Sequence, residues 1–190
     1  ALHADGHFLA GQSPDVIEGM TGEERARIYL LAVSTGLRRC EIASLRKSSF
    51  QLDGRFPTAT LEAAYSKHRR QDVLQLHPDL VQPLRSWLAD LEPQALLFPG
   101  LASRKTFMAM RHDLAAAGVP YRNADGKYAD FHALRHTFIT RAWTTGTTPD
   151  VVRALARHSD INLTLRYTHT TQAAQADAIK KMPSLPTAGN

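Results

Sequence analysis

Four short stretches of this chain carry residue types that can do chemistry. In Phe131-His132-Ala133-Leu134-Arg135-His136-Thr137, His132 and Arg135 are three residues apart, so a helix puts them on one face. His132 and His136 are four apart and could both face a metal. A zinc-protease motif, however, needs Glu after the first histidine, and Ala133 stands there. Arginine beside histidine suits an anion better than a metal. A guanidinium forks around phosphate oxygens, and an imidazole adds a hydrogen bond. The plainer reading of this stretch by itself is a helix with His136 satisfied in the core and Arg135 solvated.

The second stretch is Thr35-Gly36-Leu37-Arg38-Arg39-Cys40-Glu41. Gly36 permits a sharp turn, and Glu41, three residues after Arg38, can hold that guanidinium in place. Alone, such a pair is more often a surface ion pair than a site. The third runs from His158 to Tyr167, nine residues later, through hydroxyl and basic side chains. A tyrosine of pKa about 10 becomes a nucleophile when nearby cations or hydrogen bonds stabilise its phenolate, although a lone tyrosine is usually half-buried packing. The fourth is Lys67 in the basic run Ser66-Lys67-His68-Arg69-Arg70, which by itself reads as a solvated face or a phosphate-positioning patch.

The elements that must position these groups are mostly helical. Thr21 followed by Glu23 and Glu24 opens a helix that Gly36 ends, and a short second helix covers 41–45. Two extended runs, 58–62 and 72–76, flank the basic turn and predict a β-hairpin. Pro78 opens a helix to about 91, and Ser103 is expected to cap another to about 117. Residues 121–130 read as a loop. Phe131, Leu134, Phe138 and Ile139 set a helix over 131–145, and Pro149 starts the next. Residues 162–167 and 172–182 read as two more short helices. The fold class is therefore α+β, mainly α, with a small antiparallel sheet or hairpin. Residues 1–20 read as a linker or arm, 21–182 as the domain, and 183–190 as a loose tail.

Composition narrows the function classes. The 190 residues are 43% hydrophobic, an ordinary globular share. The longest apolar run, 28–33, cannot cross a bilayer, and no signal peptide opens the chain. One cysteine, Cys40, makes no internal disulfide and fits a reducing, cytoplasmic compartment. The net charge of +5 is modest, but its distribution is uneven. Residues 35–76 carry a net +4 and residues 101–170 a net +5, while acidic stretches precede and separate them. All four stretches lie in those two segments, a pattern that points to a polyanionic partner.

Taken in order, the set Thr35-Gly36-Leu37-Arg38-Arg39-Cys40-Glu41, Lys67, His132-Ala133-Leu134-Arg135-His136-Thr137, and His158 with Tyr167 resembles the tyrosine site-specific recombinases, the phage-integrase family. The resemblance covers roughly 20–182. It implies the helical catalytic domain of that family, acting on double-stranded DNA without metal, ATP or other cofactor. By position, Arg38 and Arg135 would clamp the scissile phosphate, and Tyr167 would attack it to form a 3′-phosphotyrosyl link. His132 would bond the phosphate or help take the tyrosine proton, and His158 would donate a further hydrogen bond. Lys67 would protonate the departing 5′-oxygen, and Glu41 would orient the first arginine; His136 is a supporting residue. Lys47 is a poorer candidate than Lys67, since it follows a helix.

Arg157 departs from the pattern. The family often has Gly before its second histidine, and a long side chain there is expected to contact DNA or to alter the approach of His158. The resemblance also implies a homo-tetramer on DNA, with the helix at 172–182 as a docking element. A separate N-terminal core-binding domain would precede this catalytic half. Two competing functions remain: a catalytically inactive DNA-binding module on the same scaffold, and a metal-dependent hydrolase built on His132 and His136.

Overall fold

Helix α1 (Gly22–Thr35) begins where Thr21 accepts a hydrogen bond from the Glu24 amide at 3.1 Å, with Glu23 and Glu24 in the first turn beside the positive end of the dipole. It ends at Gly36, whose φ of +64° lies in the left-handed region. A Cβ there would also run into the Phe138 ring, so glycine serves both the turn and a close helix crossing. The computed structural model describes residues 15–65, 69–165, 167, 176, 180 and 181.

Helix α2 (Arg39–Ser44) starts two residues earlier than expected, because Arg38 itself is the extended N-cap and its amide donates to Glu41 Oε2 at 2.7 Å. Strands β1 (Phe50–Gln51), β2 (Thr58–Leu61) and β3 (Asp72–Gln75) form an antiparallel sheet in that order. The expected hairpin is β2–β3, with Ala59 opposite Leu74 and Leu61 opposite Asp72. The two-residue β1, too short to show a period, pairs Phe50 with Ala59. Asp72 and Leu74 of β3 point inward, while Val73 and Gln75 point out.

Pro78 opens a 3-10 turn (Pro78–Leu80) that leads into α3 (Val81–Leu88). This helix stops short of residue 91, and Lys47 Nζ donates to the carbonyls of Ala89 and Leu91 at 3.2 and 2.6 Å. Lys47 is thus a structural clamp on the end of α3. Ser103 does not cap a helix. Its hydroxyl donates to Gly100 O at 2.9 Å within the 3-10 turn Leu101–Ser103, and α4 (Thr106–Ala116) begins after Lys105.

Helix α5 (Phe131–Thr144) is capped by Asp130, which accepts from the Ala133 amide at 3.1 Å. α6 (Pro149–Ala156) and the short α7 (Ile161–Leu165) follow. The helix expected at 172–182 lies almost wholly outside the described residues. The main core joins α1, α2, the sheet, α3 and α4, with Phe131 at the start of α5. A smaller cluster of Ile139, Val152 and Ala156 seals α5 on α6, with Phe138, Trp143 and Tyr167 packed against it.

A polar network fastens the N-terminal segment to this core. Met20 is buried and pairs with Ile17 across a turn. Arg25 of α1, 1% exposed, forks onto Asp113 of α4 at 2.8 and 2.9 Å, and its Nη1 donates to the Asp15 and Met20 carbonyls, each at 2.8 Å. The Tyr29 hydroxyl adds a bond to Asp113 at 2.8 Å. Burial alone would raise the Asp113 carboxyl, but Arg25 and Tyr29 offset that and hold it below the ordinary value. Asp113→Ala strands a buried guanidinium, so urea unfolding should show a loss of about 3–5 kcal/mol. Since the folded carboxyl titrates below the unfolded one, this contribution is present above about pH 4 and is lost as pH falls below it.

Candidate functional site

The spacing that buries Phe131 and Ile139 of α5 also buries Arg135, four residues from each. Its side chain lies between two helix ends. Nη1 donates to the carbonyl of Gly36, which caps α1, at 2.5 Å, and Nη2 donates to Ala156 O at the end of α6. The plainer reading of this stretch is therefore reversed: Arg135 is only 3% exposed and His136 is on the surface. Two of the five N–H donors of Arg135 fix its position, and the others remain for a ligand.

Arg38 reaches the same place from α2. Its Nη1 donates to Glu41 Oε1 at 3.0 Å. Arg38, His132 and Arg135 line one cleft of about 590 Å³, together with the 102–107 segment and Phe131. Glu41, 1% exposed, also accepts from Arg157 Nη2 at 2.7 Å. Of the two expectations for Arg157, contact with DNA or an altered approach of His158, the first does not fit its inward course. Arg157 is 7% exposed, and its Nη1 stands 3.7 Å from Asp72 Oδ2 on β3. Arg157 sits at the left-handed C-cap of α6 with φ +53°, a backbone state that glycine adopts more easily. From that position a side chain turns back under the site rather than toward solvent.

Sequence reasoning missed this inward role. No local signal was available, because Arg157 meets Glu41 across a separation of 116 residues.

His158 follows directly. Its amide donates to Arg153 O at 3.1 Å, and its Nδ1 is hydrogen-bonded to the buried Thr164 hydroxyl at 2.9 Å. Tyr167 lies beside it, with the two rings stacked at 27° and 6.4 Å between centroids. The Tyr167 hydroxyl is hydrogen-bonded to His136 Nδ1. His136 in turn meets His132 edge-on at 4.8 Å. Six of the sequence-predicted residues, Arg38, His132, Arg135, His136, His158 and Tyr167, thus form one neighbourhood over Glu41. Lys67 lies outside the described residues. Among the described residues, no group of three His, Cys, Asp or Glu side chains is placed to hold a metal ion.

Positive charge dominates the electrostatics of the site. Arg38, Arg135 and Arg157 face Glu41 and Asp72, and Asp72 is shared with Arg70 at 3.3 Å, so positive charge is in surplus. Burial, then repulsion from Arg38 and Arg157, lowers Arg135 to about 10 despite Glu41 and Tyr167. Burial and Arg135 lower His158 to about 4, with Arg38, Arg157 and His136 adding to the effect. His132 and His136 shift the same way, led by burial. All three imidazoles are therefore neutral near pH 7. Burial alone would raise Glu41, yet Arg157 and Arg38 hold it below the ordinary carboxyl value. Such an arrangement can receive a tetrahedral anion between fixed guanidiniums, with a phenol at its border.

Several known proteins are similar to this chain. The model of the Phage integrase family matches residues 16–174. Among curated relatives, a "Putative integrase/recombinase y4rC" of Sinorhizobium fredii is 26% identical over 170 residues, covering 85% of this chain and 49% of that protein. "Tyrosine recombinase XerD" of Lacticaseibacillus casei is 26% identical over 164 residues, covering 82% and 53%. This chain thus spans about half the length of the curated relatives it matches. Among solved structures, XerH site-specific recombinase bound to difH in a pre-cleavage complex superposes with a TM-score of 0.62 at 20% identity, covering 83% of this chain and 46% of that one. The catalytic domain of bacteriophage HP1 integrase gives 0.57 at 19%, covering 82% and 80%.

Two outcomes follow from the geometry. Arg157→Met leaves Glu41 buried with Arg38 as its main counter-charge, and urea unfolding should show a loss of about 3 kcal/mol. Adding Glu41→Gln should then cost less than its effect on the wild-type background, because the two groups act as a pair. Separately, the folded His158 value of about 4 lies below the ordinary 6.5, so the folded state binds fewer protons than the unfolded state between them. Stability should be full above about pH 6.5 and fall as pH drops toward about 4. Unfolding midpoints across that window and an NMR titration of His158 check the sign.

Proposed function

The chain belongs to the phage integrase family, and from that premise we propose that it is the catalytic domain of a site-specific recombinase that cleaves and rejoins double-stranded DNA through Tyr167. The observation that carries this reading is the convergence of Arg38, Arg135 and His132 on one cleft, with the Tyr167 hydroxyl bonded to His136, whose ring meets His132, and positive charge in excess over Glu41 and Asp72. In this reading Arg38 and Arg135 bind the non-bridging oxygens of the scissile phosphate. Negative charge gathers there in the transition state, where fixed guanidiniums stabilise it most. His132 and His158, both neutral, donate further hydrogen bonds.

Tyr167 forms a bond to phosphorus as the bond to the 5′-oxygen breaks, leaving a 3′-phosphotyrosyl link. Lys67, on the family resemblance, gives the departing oxygen its proton. The link keeps the phosphodiester energy, so a 5′-hydroxyl from another strand can reverse the step without ATP or metal. Glu41 and Arg157 act beneath, holding Arg38. The XerH structure is named as a complex with its difH substrate, which supports DNA as the partner here. No described helix is long and apolar enough to cross a membrane.

Exchange between two duplexes needs four strand cleavages, so the acting species is a homo-tetramer on DNA. A preceding core-binding domain completes the grip on the duplex, and the 172–182 segment docks to a neighbouring subunit. The target sequence is read by surface side chains and by that further domain.

A nicked suicide duplex built on the junction sequences flanking the coding region tests the reading. Wild type should trap a covalent DNA adduct that survives denaturant and forms equally in chelator, and Tyr167→Phe should form none. Arg38→Ala should slow trapping ~10²–10³-fold, as loss of one oxyanion donor does. No adduct with wild type, or one that persists in Tyr167→Phe, sinks the proposal.

A further inference from the structure

The hydroxyl of Tyr167 and the ring of His136 form a contact that the arginine clamp does not account for. Their hydrogen bond joins the phenol oxygen to Nδ1. A phenol of pKa about 10 donates and a neutral imidazole of pKa about 6.5 accepts, so the proton lies on Nε2 of His136. The two rings stand 5.3 Å apart at 35°, alongside one another rather than packed face to face. His132, by contrast, lines the phosphate cleft with Arg38 and Arg135, and His136 does not. The edge-on contact at 4.8 Å sets the two histidines side by side with different neighbours, one facing the cleft and the other the phenol.

From this geometry we infer that His136 is a further catalytic residue, the proton acceptor for the Tyr167 hydroxyl, while His132 serves the phosphate. The inference rests on the recombinase reading above.

In the step, the phenolic O–H bond breaks and its proton passes to His136 Nδ1, giving an imidazolium. The freed electron pair forms the bond from the phenol oxygen to phosphorus. The bond from phosphorus to the 5′-oxygen breaks with its pair on that oxygen, which takes a proton from the acid assigned to Lys67. In rejoining, a 5′-hydroxyl gives its proton to the amine assigned to Lys67 as it bonds to phosphorus. The bond to the phenol oxygen breaks with its pair on that oxygen, and His136 returns the proton to it. Although His136 is exposed, partial desolvation of the ring and the Arg135 charge keep the resting imidazole neutral and able to accept, against the opposing pull of Asp130. The charged and titratable groups facing it are Asp130, His132, Arg135, Tyr167 and His158.

His136→Asn separates holding from proton transfer. The amide oxygen stands near the position of Nδ1 and can accept from the phenol, but it cannot take the proton. Since His136 is exposed, the variant should fold. On the nicked suicide duplex, adduct formation should slow ~10²-fold with DNA affinity unchanged. The wild-type rate should rise with pH as this imidazole deprotonates, and the variant should lose that rise. A duplex with sulfur at the bridging 5′ position has a leaving group that needs no proton, so it reports on the nucleophile side alone. His136→Asn should remain slow on that duplex. Recovery to the wild-type rate would place the histidine on the leaving group and overturn the inference, as would a wild-type rate on the ordinary duplex.

A DNA-free measurement separates this inference from the reading beneath it. Nitrogen NMR of the histidines should show His136 as the Nε2–H tautomer, with its Nδ1 signal moved by Tyr167→Phe. An unmoved signal overturns the inference and leaves the recombinase reading intact. Absence of any wild-type adduct sinks that reading, and the proton-transfer step with it, whatever the NMR shows.

Discussion

Everything in this site hangs on one buried carboxylate. Glu41 accepts from the Arg38 amide and guanidinium on one side and from Arg157 on the other. Those bonds join the start of α2 to the loop after α6, and Arg157 extends the link toward Asp72 on β3. Buried charge is costly unless it is paired and fully hydrogen-bonded. The surrounding chain is therefore constrained to keep these segments in register. The same bonds leave the cations in excess, and an excess of fixed positive charge is what a phosphate-binding site requires.

A second guanidinium extends the constraint across the small C-terminal core. Arg135 is fastened to backbone carbonyls at the end of α1 and the end of α6. Helix ends present unpaired carbonyls that need donors, so one side chain satisfies two helix termini while being held rigid. Gly36 makes this possible twice over. Its left-handed turn presents its carbonyl to Arg135, and its missing side chain lets Phe138 approach. Such a clamp resists rotation of α5 against α1 and α6, and with α5 it fixes the positions of His132 and His136.

Much of this was legible along the chain. The N-cap at Thr21, the stop at Gly36, the β2–β3 hairpin and the 3.6-residue stripe of α5 follow local rules that short windows can express. Other features were out of reach of such windows. β1 is two residues long, and its pairing depends on a partner strand. Ser103 has the chemistry of a cap, yet its hydroxyl closes a 3-10 turn. The end of α3 is met by the amine of Lys47, about forty residues earlier in the chain.

The sequence by itself determined which side chains could act: two arginines in their turns, the histidines on one helix, and a tyrosine nine residues after a histidine. Residue type and spacing are local properties, and they pointed to an anion beside arginine and histidine, while the roles of phosphate clamp and phenol nucleophile came with the family resemblance of the ordered set. Only the tertiary structure decided which charges are buried and what each histidine touches. It turned Arg157 inward to Glu41, made Arg135 a strut rather than a solvated side chain, and set His136 rather than His132 against the Tyr167 hydroxyl. Burial and hydrogen-bond partnership depend on segments more than a hundred residues apart meeting in space, as Glu41 and Arg157 do, and no spacing along one segment encodes that.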